Sequence, residues 1–335
     1  MTTNSTPLLE FLIPGYNRPS IVDSIQSVLE QCDNVADSGL VSIQVADDAG
    51  ELFNIEQSMD PKWQNDPRLR VIRNNVNLGM AENLRAMISR SSARFVFILT
   101  DDDLLESGAL AHCVSLLQSG FCHAAYITPR PGWDVEGRLR VVDCRASRRK
   151  WKVLNPTRFA SLRYARHGHI LSGLIVERDA VDLDLWGRIA DNAYFPVIIL
   201  GDLLRRRSAL YGSRHLVVHR VYNETFWHRW GDTEAEIASR LFRDYAEAFL
   251  IIHKRTEGGK VTGVISDIFL LRELLRLEVS SVLHHDRENL VALKFESHRL
   301  NFTLALMQRL LRRSQPVLRC IHSLFRSPNL VFRAR

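Results

Sequence analysis

The stretch Arg94-Phe95-Val96-Phe97-Ile98-Leu99-Thr100-Asp101-Asp102-Asp103 joins an apolar run directly to three consecutive aspartates. The apolar half is rich in aromatic and branched side chains, a composition typical of a buried strand. Neighbouring carboxylates raise one another's pKa unless a cation lies between them. Mg²⁺ and Mn²⁺ prefer oxygen ligands and take one or two carboxylates together with substrate phosphates. The sequence therefore predicts a divalent metal at the end of this strand.

A helix cap is the alternative explanation of these aspartates. A helix that begins near Leu105 would place them at its N-terminus, where an acidic side chain stabilises the helix by about 0.3 to 1 kcal/mol. One acid would suffice for that purpose, whereas three follow the strand. We therefore favour the metal site.

Strands alternate with helices on the N-terminal side of this stretch. Apolar runs that end in turn residues predict the strands, and apolar residues at helical spacing predict the helices. The predicted strands are Leu8 to Ile13, Val41 to Ala46 and Arg70 to Arg73, and the predicted helices follow an N-cap at Ser20 and span Asn77 to Ser89. This alternation predicts an α/β fold with a mostly parallel sheet, in which ligands bind beyond the carboxyl ends of the strands.

Polar clusters follow three of these strands. They are Tyr16-Asn17-Arg18, Asp47-Asp48 and Asp101-Asp102-Asp103. A parallel sheet would bring all three to one edge, where a carboxylate such as Asp48 can accept a hydrogen bond from a nucleobase N–H. For the first two clusters, a purely local role in turns is the alternative.

The second half of the chain has a different pattern. Strands are predicted near Ala124 to Thr128, Ser172 to Val176 and Leu216 to Val221, a helix from Tyr194 to about Leu204, and long amphipathic helices over Ile237 to Ile252 and Ile265 to Val282. We expect the part before the helices to hold the acceptor of the reaction. The change of pattern predicts a catalytic domain over residues 1–232 and a helical, basic region over residues 233–335.

Positive charge is concentrated at the C-terminal end of the chain. The formal net charge is +6, and no acidic residue follows Glu296 although eight arginines do. The stretch from Leu300 to Arg335 mixes seven of these arginines with apolar residues, which suits a helix lying on an anionic membrane surface. A helical bundle with a solvated arginine face, or a contact between copies of a homo-oligomer, is the alternative.

Cysteine usage and hydropathy predict the compartment. The five cysteines are widely spaced and include no Cys-x-x-Cys pair, so neither a disulfide framework nor a zinc site is indicated. No apolar run approaches the roughly 18 to 20 residues that span a bilayer, and the polar stretch from Met1 to Pro7 does not resemble a signal peptide. We expect a cytoplasmic protein, with the basic tail favouring the inner face of the cell membrane.

Four motifs occur in order between Ile13 and Asp103. They are Ile13-Pro14-Gly15-Tyr16-Asn17-Arg18-Pro19, Val45-Ala46-Asp47-Asp48-Ala49-Gly50, Asn77-Leu78-Gly79 with Asn83, and Thr100-Asp101-Asp102-Asp103. Together they resemble glycosyltransferase family 2, whose corresponding motifs are Pro-x-Tyr-Asn-Arg, Val-Asp-Asp-Gly-Ser, Asn-x-Gly…Asn and the DxD signature. The resemblance implies a GT-A fold, with a Rossmann-like, mostly parallel central sheet flanked by helices, here followed by a C-terminal helical extension.

The same resemblance implies roles for the residues of these motifs. It implies that Pro14, Tyr16, Arg18 and Asp48 surround the nucleobase and that Asp101 approaches the ribose. The other residues that it assigns to the donor nucleotide are Asn17, Asp47, Asn77, Gly79 and Asn83. Asp102, together with Asp103, is implied to hold Mg²⁺ or Mn²⁺. Thr100 stands where the family usually has the first acid of its signature, so the choice of metal ligands among the three aspartates stays open.

The acceptor side of the family also has a counterpart. Leu171-Ser172-Gly173-Leu174-Ile175-Val176 resembles the acceptor-side strand, and Asp191 is the nearest match to the general base that follows it. An N-cap for the helix near Tyr194 is the alternative role of Asp191. The competing acids are Asp182, Asp184 and Asp202.

The segment Phe226 to Trp230 resembles a signature of processive members but lacks its glutamine, so its aromatic residues either stack on a sugar or pack between domains.

The implied reaction is inverting transfer of a sugar from a nucleotide-diphosphate sugar to a hydroxyl of a glycan or lipid-linked glycan, as in bacterial O-antigen, capsule or other surface-polysaccharide synthesis. A catalytically inactive nucleotide-binding protein is one alternative. A basic nucleic-acid-binding protein is another, suggested by the isoelectric point near 9.2. Because no Gly-rich phosphate loop, RNA-binding aromatic motif or zinc pattern is present, we expect no nucleic-acid partner. A nucleotidyltransferase would usually carry a Gly-rich, basic loop after its first strand.

Overall fold

The computed structural model describes residues 6–34, 38–128, 132–135, 138–140, 151–169, 171–212, 214–220 and 234–256. Within them the strands are β1 (Leu9–Gly15), β2 (Val41–Asp47), β3 (Leu69–Arg73), β4 (Phe95–Ile98), β5 (Leu104–Leu105), β6 (Ala125–Ile127), β7 (Gly132–Val135), β8 (Arg138–Arg140), β9 (Trp151–Leu154), β10 (Leu174–Glu177), β11 (Ala209–Gly212) and β12 (Val217–Arg220).

Helices connect most of these strands. They are α1 (Ile21–Cys32), α2 (Ile55–Ser58), α3 (Pro61–Gln64), α4 (Met80–Arg90), α5 (Ala109–Gln118), α6 (Arg158–Tyr164), α7 (Leu183–Arg188), α8 (Phe195–Arg206) and α9 (Glu234–Thr256). Short 3₁₀ turns at Ser38–Leu40, Ala165–His169 and Arg178–Ala180 complete the described connections.

The central sheet has its parallel strands at the N-terminal side. In the described part of the chain, eight strands run in the order β3-β2-β1-β4-β10-β6-β11-β9. The pairs β3/β2, β2/β1 and β1/β4 are parallel, so these four strands end at one edge. The neighbouring strand β10 is antiparallel to both β4 and β6, while β11 is parallel to β6. The predicted mostly parallel sheet flanked by helices is confirmed.

Alternating side chains explain how helices cover both faces of this sheet. Phe95 and Phe97 of β4 belong to the same buried cluster as Phe11 of β1 and the apolar residues of α1 and α5. On the other face, the amide nitrogen of Gln44 donates to the carbonyl of Met87 in α4 over 3.0 Å. These layers bury the sheet on both sides, as parallel sheets require.

A second, smaller sheet lies beside the end of β4. Its order is β5-β12-β7-β8 among the described residues, with β12 antiparallel to β5. Strand β5 consists of the residues that directly follow the three aspartates, where the sequence suggested a helix near Leu105. That expectation is wrong, because Leu104 and Leu105 pair with Val218 and Val217, and the helix α5 starts only at Ala109.

The chain divides into two compact units, Met1–Tyr222 and Asn223–Arg335. In the second unit the structure describes only α9, which contains the predicted helix from Ile237 to Ile252. The predicted boundary near residue 232, the helix from Ile265 to Val282, the aromatic segment from Phe226 to Trp230 and the basic stretch from Leu300 to Arg335 lie outside the described residues. No helix in the described ranges is both long and apolar enough to cross a bilayer.

Two glycines test the packing of the acceptor-side helices. A Cβ at Gly168 would approach the backbone oxygen of Pro196 at 2.5 Å, whereas a Cβ at Gly187, in α7, would meet only the flexible Arg85 side chain at 3.8 Å.

We expect Gly168→Ala to lower the free energy of unfolding by about 1 to 3 kcal/mol because a backbone atom must move. Gly187→Ala, the matched control, should raise it by about 0.5 kcal/mol through helix propensity. Urea denaturation measures both, and equal effects would contradict the packing described.

Candidate active site

The ends of the parallel strands bring the three polar clusters together. Gly15 at the end of β1 pairs with Asp47 at the end of β2, and the amide of Asp48 donates to the carbonyl of Gly15 over 2.8 Å. The amide of Leu99, just after β4, donates to the carbonyl of Leu12 over 3.1 Å. The loops after β1, β2 and β4 therefore share one edge of the sheet, as the sequence predicted.

Arg18 joins the first cluster to the third. A single guanidinium nitrogen, Nη1, lies 3.1 Å from Oδ1 of Asp101 and 2.7 Å from Oδ2 of Asp102. The Asp101 side chain is 7% exposed, whereas those of Arg18 and Asp102 are 21% and 23% exposed. The edge thus presents an acidic pair, Asp101 and Asp102, that the guanidinium of Arg18 bridges.

Burial dominates the ionisation of Asp101. It raises the pKa of this carboxyl to about 7, with the charge of Asp102 adding to the effect, although Arg18 and the backbone N–H of Tyr16 act in the opposite direction. A single guanidinium leaves part of the negative charge of two carboxylates uncompensated. The acidic pair is therefore costly for the fold and suited to a further positive charge.

Asp103 has a different environment from its two neighbours. Its side chain is fully buried, and its Oδ2 accepts from the hydroxyl of Thr100 over 2.8 Å. Its Oδ1 lies 2.7 Å from Nδ1 of His219 and accepts from the backbone N–H of Arg220 over 3.3 Å. Because both oxygens contact the protein, Asp103 is built into the support of the loop, and its predicted part in metal binding stays a prediction.

His219 and Arg220, at the end of β12, were not singled out from the sequence. His219 forms an ion pair with Asp103 when its imidazole is protonated. Burial lowers the pKa of His219, but Asp103 and Asp102 together raise it above its usual range. Arg220 donates to the carbonyl of Asp102 at 3.1 Å and to Asp23 at 2.8 Å. The polar end of the predicted strand near Leu216 to Val221 was the available signal, but nothing in the sequence paired that strand with the aspartates.

Asp48 organises the loop between β3 and α4. One of its oxygens accepts from the backbone N–H of Leu78 at 2.8 Å and the side chain of Asn74 at 2.9 Å, and the other accepts from the N–H of Gly79 at 2.7 Å. Asn83 accepts from Asn74 and donates to the carbonyl of Ala46. Gly79 has φ of +78°, a conformation that favours glycine. These buried contacts join the motif residues of β2 and α4 into one network.

Asn17 and Asp47 fix the turns of the first two loops. Oδ1 of Asn17 accepts from the N–H of Leu52 at 2.9 Å, and Oδ1 of Asp47 accepts from the N–H of Gly50 at 2.9 Å. Asn77 similarly accepts from the N–H of Gly79 at 2.9 Å. In the described structure these three side chains hold backbone, so any contact that they make with a donor stays a prediction.

Exposed apolar side chains border this polar network. They are Tyr16, Leu52, Val76, Leu78 and Met80, and they lie in the loops after β1, β2 and β3 or at the start of α4. Large apolar side chains that stay exposed around convergent polar groups are typical of a ligand site. Pro14, also predicted to lie near a nucleobase, is part of β1 and is buried.

Strand β10 brings the acceptor-side segment next to the aspartate loop. The hydroxyl of Ser172 accepts from the backbone N–H of Thr100 at 2.8 Å and lies 2.7 Å from the Thr100 hydroxyl. The resemblance between residues 171–176 and the family's acceptor-side strand therefore corresponds to a strand that touches the predicted metal loop.

The structure separates the acids that competed for the role of general base. Asp182 caps α7 by accepting from the N–H of Leu185 at 2.8 Å, and Asp202 is buried in ion pairs with Arg205 and Arg206. Asp191 is exposed in the turn between α7 and α8, and the N-cap position of α8 is Tyr194 instead. As the general base, Asp191 stays a prediction.

The acidic pair suits a divalent ion that takes only one or two ligands from the protein. Within the described ranges no group of three or more His, Cys, Asp or Glu side chains is arranged to hold a metal. Mg²⁺ and Mn²⁺ are commonly held by one or two carboxylates, the remaining ligands being substrate phosphates and water. Asp101 and Asp102 supply the protein share of such a site, so binding would depend on the diphosphate.

Comparisons with known proteins agree with this fold and identify the family. A family model described as glycosyl transferase family 2 matches residues 10–182. The structure of S. aureus TarS 1–349 in complex with UDP-GlcNAc is similar, with a TM-score of 0.59 and 13% identity over 94% of this chain and 87% of that chain. The corresponding S. aureus complex with UDP has a TM-score of 0.56 and 14% identity over the same shares. No curated protein sequence matches the chain significantly.

Asp101 should make the fold less stable as the pH rises. Its pKa is raised from 3.8 to about 7 in the native state. Between pH 3.8 and about pH 7 the native carboxyl therefore keeps a proton that the unfolded chain has already released. The free energy of unfolding falls as the pH rises through this range. We expect Asp101→Asn to exceed the wild type in free energy of unfolding by about 1 to 3 kcal/mol at pH 8 and by little near pH 4. Asp184→Asn, an exposed control, should stay within about 0.5 kcal/mol at both pH values. Denaturant titrations measure the difference, and a wild type as stable as Asp101→Asn at pH 8 would contradict it.

Proposed function

The chain belongs to glycosyltransferase family 2 and is a nucleotide-sugar glycosyltransferase, and we propose that it uses a divalent metal and inverts the anomeric centre of the sugar that it transfers. The observation that carries this proposal is the acidic pair beside the Asp48 network at one sheet edge. One part of this edge suits a diphosphate with its cation, and the other suits a nucleoside.

The nucleoside is assigned to the loops after β1, β2 and β3. Asp48 accepts three hydrogen bonds from the protein, and a carboxylate has about four acceptor positions, so one position is left for a nucleobase N–H. Tyr16 and the apolar side chains around it supply a surface on which a base can stack. S. aureus TarS binds UDP-GlcNAc, which makes UDP the first nucleotide to test.

The diphosphate and its cation are assigned to the acidic pair. Asp102 would be the principal ligand because its side chain is the more exposed of the two, and Asp101 would approach the ribose or share the ion. A bound Mg²⁺ or Mn²⁺ would neutralise the charge that develops on the departing diphosphate. Thr100, Asp103, His219 and Arg220 hold the loop in place for that purpose.

The acceptor is assigned to the side of the sheet that contains β10. An acceptor hydroxyl attacks the anomeric carbon, its proton passes to a carboxylate, and the bond to the nucleoside diphosphate breaks. Asp191 is our candidate for this carboxylate, because the family resemblance implies it and because it is exposed between α7 and α8. Direct displacement with the base opposite the leaving group inverts the anomeric carbon.

A glycan or lipid-linked glycan of a bacterial surface polysaccharide is the acceptor that we propose. The basic stretch from Leu300 to Arg335 would then lie against the anionic inner face of the cell membrane, where a lipid-linked acceptor is found. A contact between copies of the chain is the alternative use of the same stretch.

Asp102→Asn should abolish the metal-dependent part of donor binding. Thermal unfolding of the wild type should shift upward with UDP and Mn²⁺ and shift less with UDP and EDTA, because ligand binding to the native state stabilises it. The variant should show the same small shift in both conditions, and nucleoside diphosphate release from the donor should fall on the order of 10² to 10³-fold. Asp179→Asn, on a side chain 80% exposed, is the control and should behave like the wild type. Full activity of Asp102→Asn in excess Mn²⁺ would remove the metal role.

Asp191→Asn should separate chemistry from donor binding. A general base contributes about 10² to 10⁴-fold to the rate, so kcat should fall by that order while the thermal shift with UDP and Mn²⁺ stays unchanged. Asp179→Asn, on a side chain 80% exposed, is the control and should keep the wild-type kcat. If Asp191→Asn turns over normally, the base is another residue.

A further inference from the structure

The position of Arg18 at the acidic pair is the feature that the family assignment leaves unexplained. The family resemblance places this residue near the nucleobase, yet its Nη1 atom bridges Oδ1 of Asp101 and Oδ2 of Asp102 at 3.1 and 2.7 Å. Arginine usually meets a carboxylate through two parallel hydrogen bonds. Here one nitrogen lies between two carboxylates, which is the position of a bridging cation.

A divalent ion and Arg18 exclude each other at these two oxygens. An Mg²⁺-sized ion holds carboxylate oxygens at about 2.0 to 2.1 Å, so an ion that bridges the same oxygens would occupy the volume of Nη1. The charges point the same way, since one guanidinium carries a single positive charge and faces two carboxylates. A divalent ion would complete the compensation, and Arg18 would then need another anionic partner.

Two arginines contact this loop, and they contact different parts of it. Arg220 is held on several sides, by the carboxylate of Asp23, the carbonyl of Ser20 and the carbonyl of Asp102. Arg18 contacts both carboxylates of the acidic pair, and its side chain is 21% exposed. Its long side chain projects from the loop after β1, at the edge where the diphosphate is proposed to bind. Guanidinium groups recognise phosphate as well as they recognise carboxylate.

We propose that Arg18 is a stand-in cation, which holds the acidic pair together in the metal-free enzyme and transfers to the donor diphosphate when the divalent ion displaces it. The proposal rests on the metal and donor sites assigned above. It makes Arg18 a positioning residue for the donor and not a ligand of the nucleobase. Metal binding and nucleotide binding then favour each other. The metal would free Arg18 for the diphosphate, and the diphosphate would keep Arg18 away from the two carboxylates.

Removing Arg18 should therefore change metal and nucleotide affinity in opposite directions. Arg18→Met keeps the length of the side chain and removes its charge. In the intact chain without nucleotide, we expect this variant to bind Mn²⁺ about tenfold more tightly than the wild type, since the competing cation is gone. At saturating Mn²⁺ it should bind UDP about tenfold more weakly, since the diphosphate has lost a partner. Electron paramagnetic resonance of free Mn²⁺ gives the first affinity and calorimetry with UDP gives the second.

Controls separate this result from a general effect of substitution. Arg94→Met removes an arginine next to Glu177 at the opposite end of β4 and should leave both affinities unchanged. Arg18→Lys keeps a charge and should restore much of the UDP affinity. If Arg18→Met binds Mn²⁺ no more tightly than the wild type, or if both affinities fall together, Arg18 has only a structural role and the proposal is wrong.

The wild-type chain distinguishes a failure of this inference from a failure of the proposed function. Mn²⁺-dependent UDP binding by the wild type, without tighter Mn²⁺ binding by Arg18→Met, rejects the inference and leaves the proposed function intact. Equal UDP binding in Mn²⁺ and in EDTA also rejects it, because Arg18 would then replace the metal permanently. No UDP binding under either condition rejects the donor site as well.

Discussion

Uncompensated negative charge at the end of β4 is the constraint on which the rest of this structure depends. Two carboxylates lie within hydrogen-bond distance of one guanidinium nitrogen, and one of them is almost fully buried. Such an arrangement opposes folding, since burial disfavours the charged form. The surrounding structure must hold the loop in place despite that cost, and two elements distant in sequence do so. They are the turn before strand β10, through Ser172, and strand β12, through His219 and Arg220.

The division of labour among the three aspartates follows from this support. Asp103 is buried and has protein partners on both oxygens, so it anchors the loop. Asp101 and Asp102 lie toward the open edge, where Arg18 is their partner. A site that keeps two acids close together for a ligand gives up stability in the free protein, as functional sites commonly do.

Much of the fold was predictable because the spacing of apolar residues within a short stretch of sequence indicates whether that stretch is a strand or a helix. The apolar runs that became β1, β2 and β4 each end in a polar cluster, and parallel pairing of these strands brought the clusters together. The partners of the aspartates were not predictable in the same way. A strand pattern does not reveal its neighbour, so nothing placed β12 beside the aspartate loop or β10 antiparallel to β4. Similarly, the turn after β1 identified Arg18 as a candidate, but only the folded chain shows that its guanidinium contacts the acidic pair.

The central claim is that the acidic pair exists for a divalent cation and a nucleoside diphosphate bound together. Calorimetric titration of UDP into the intact wild-type chain, once in Mn²⁺ and once in EDTA, tests it most directly. The account predicts binding in Mn²⁺ that weakens about tenfold or more in EDTA. Affinity that does not change when the metal is removed, or the absence of binding by UDP and by every other nucleoside diphosphate, would contradict it.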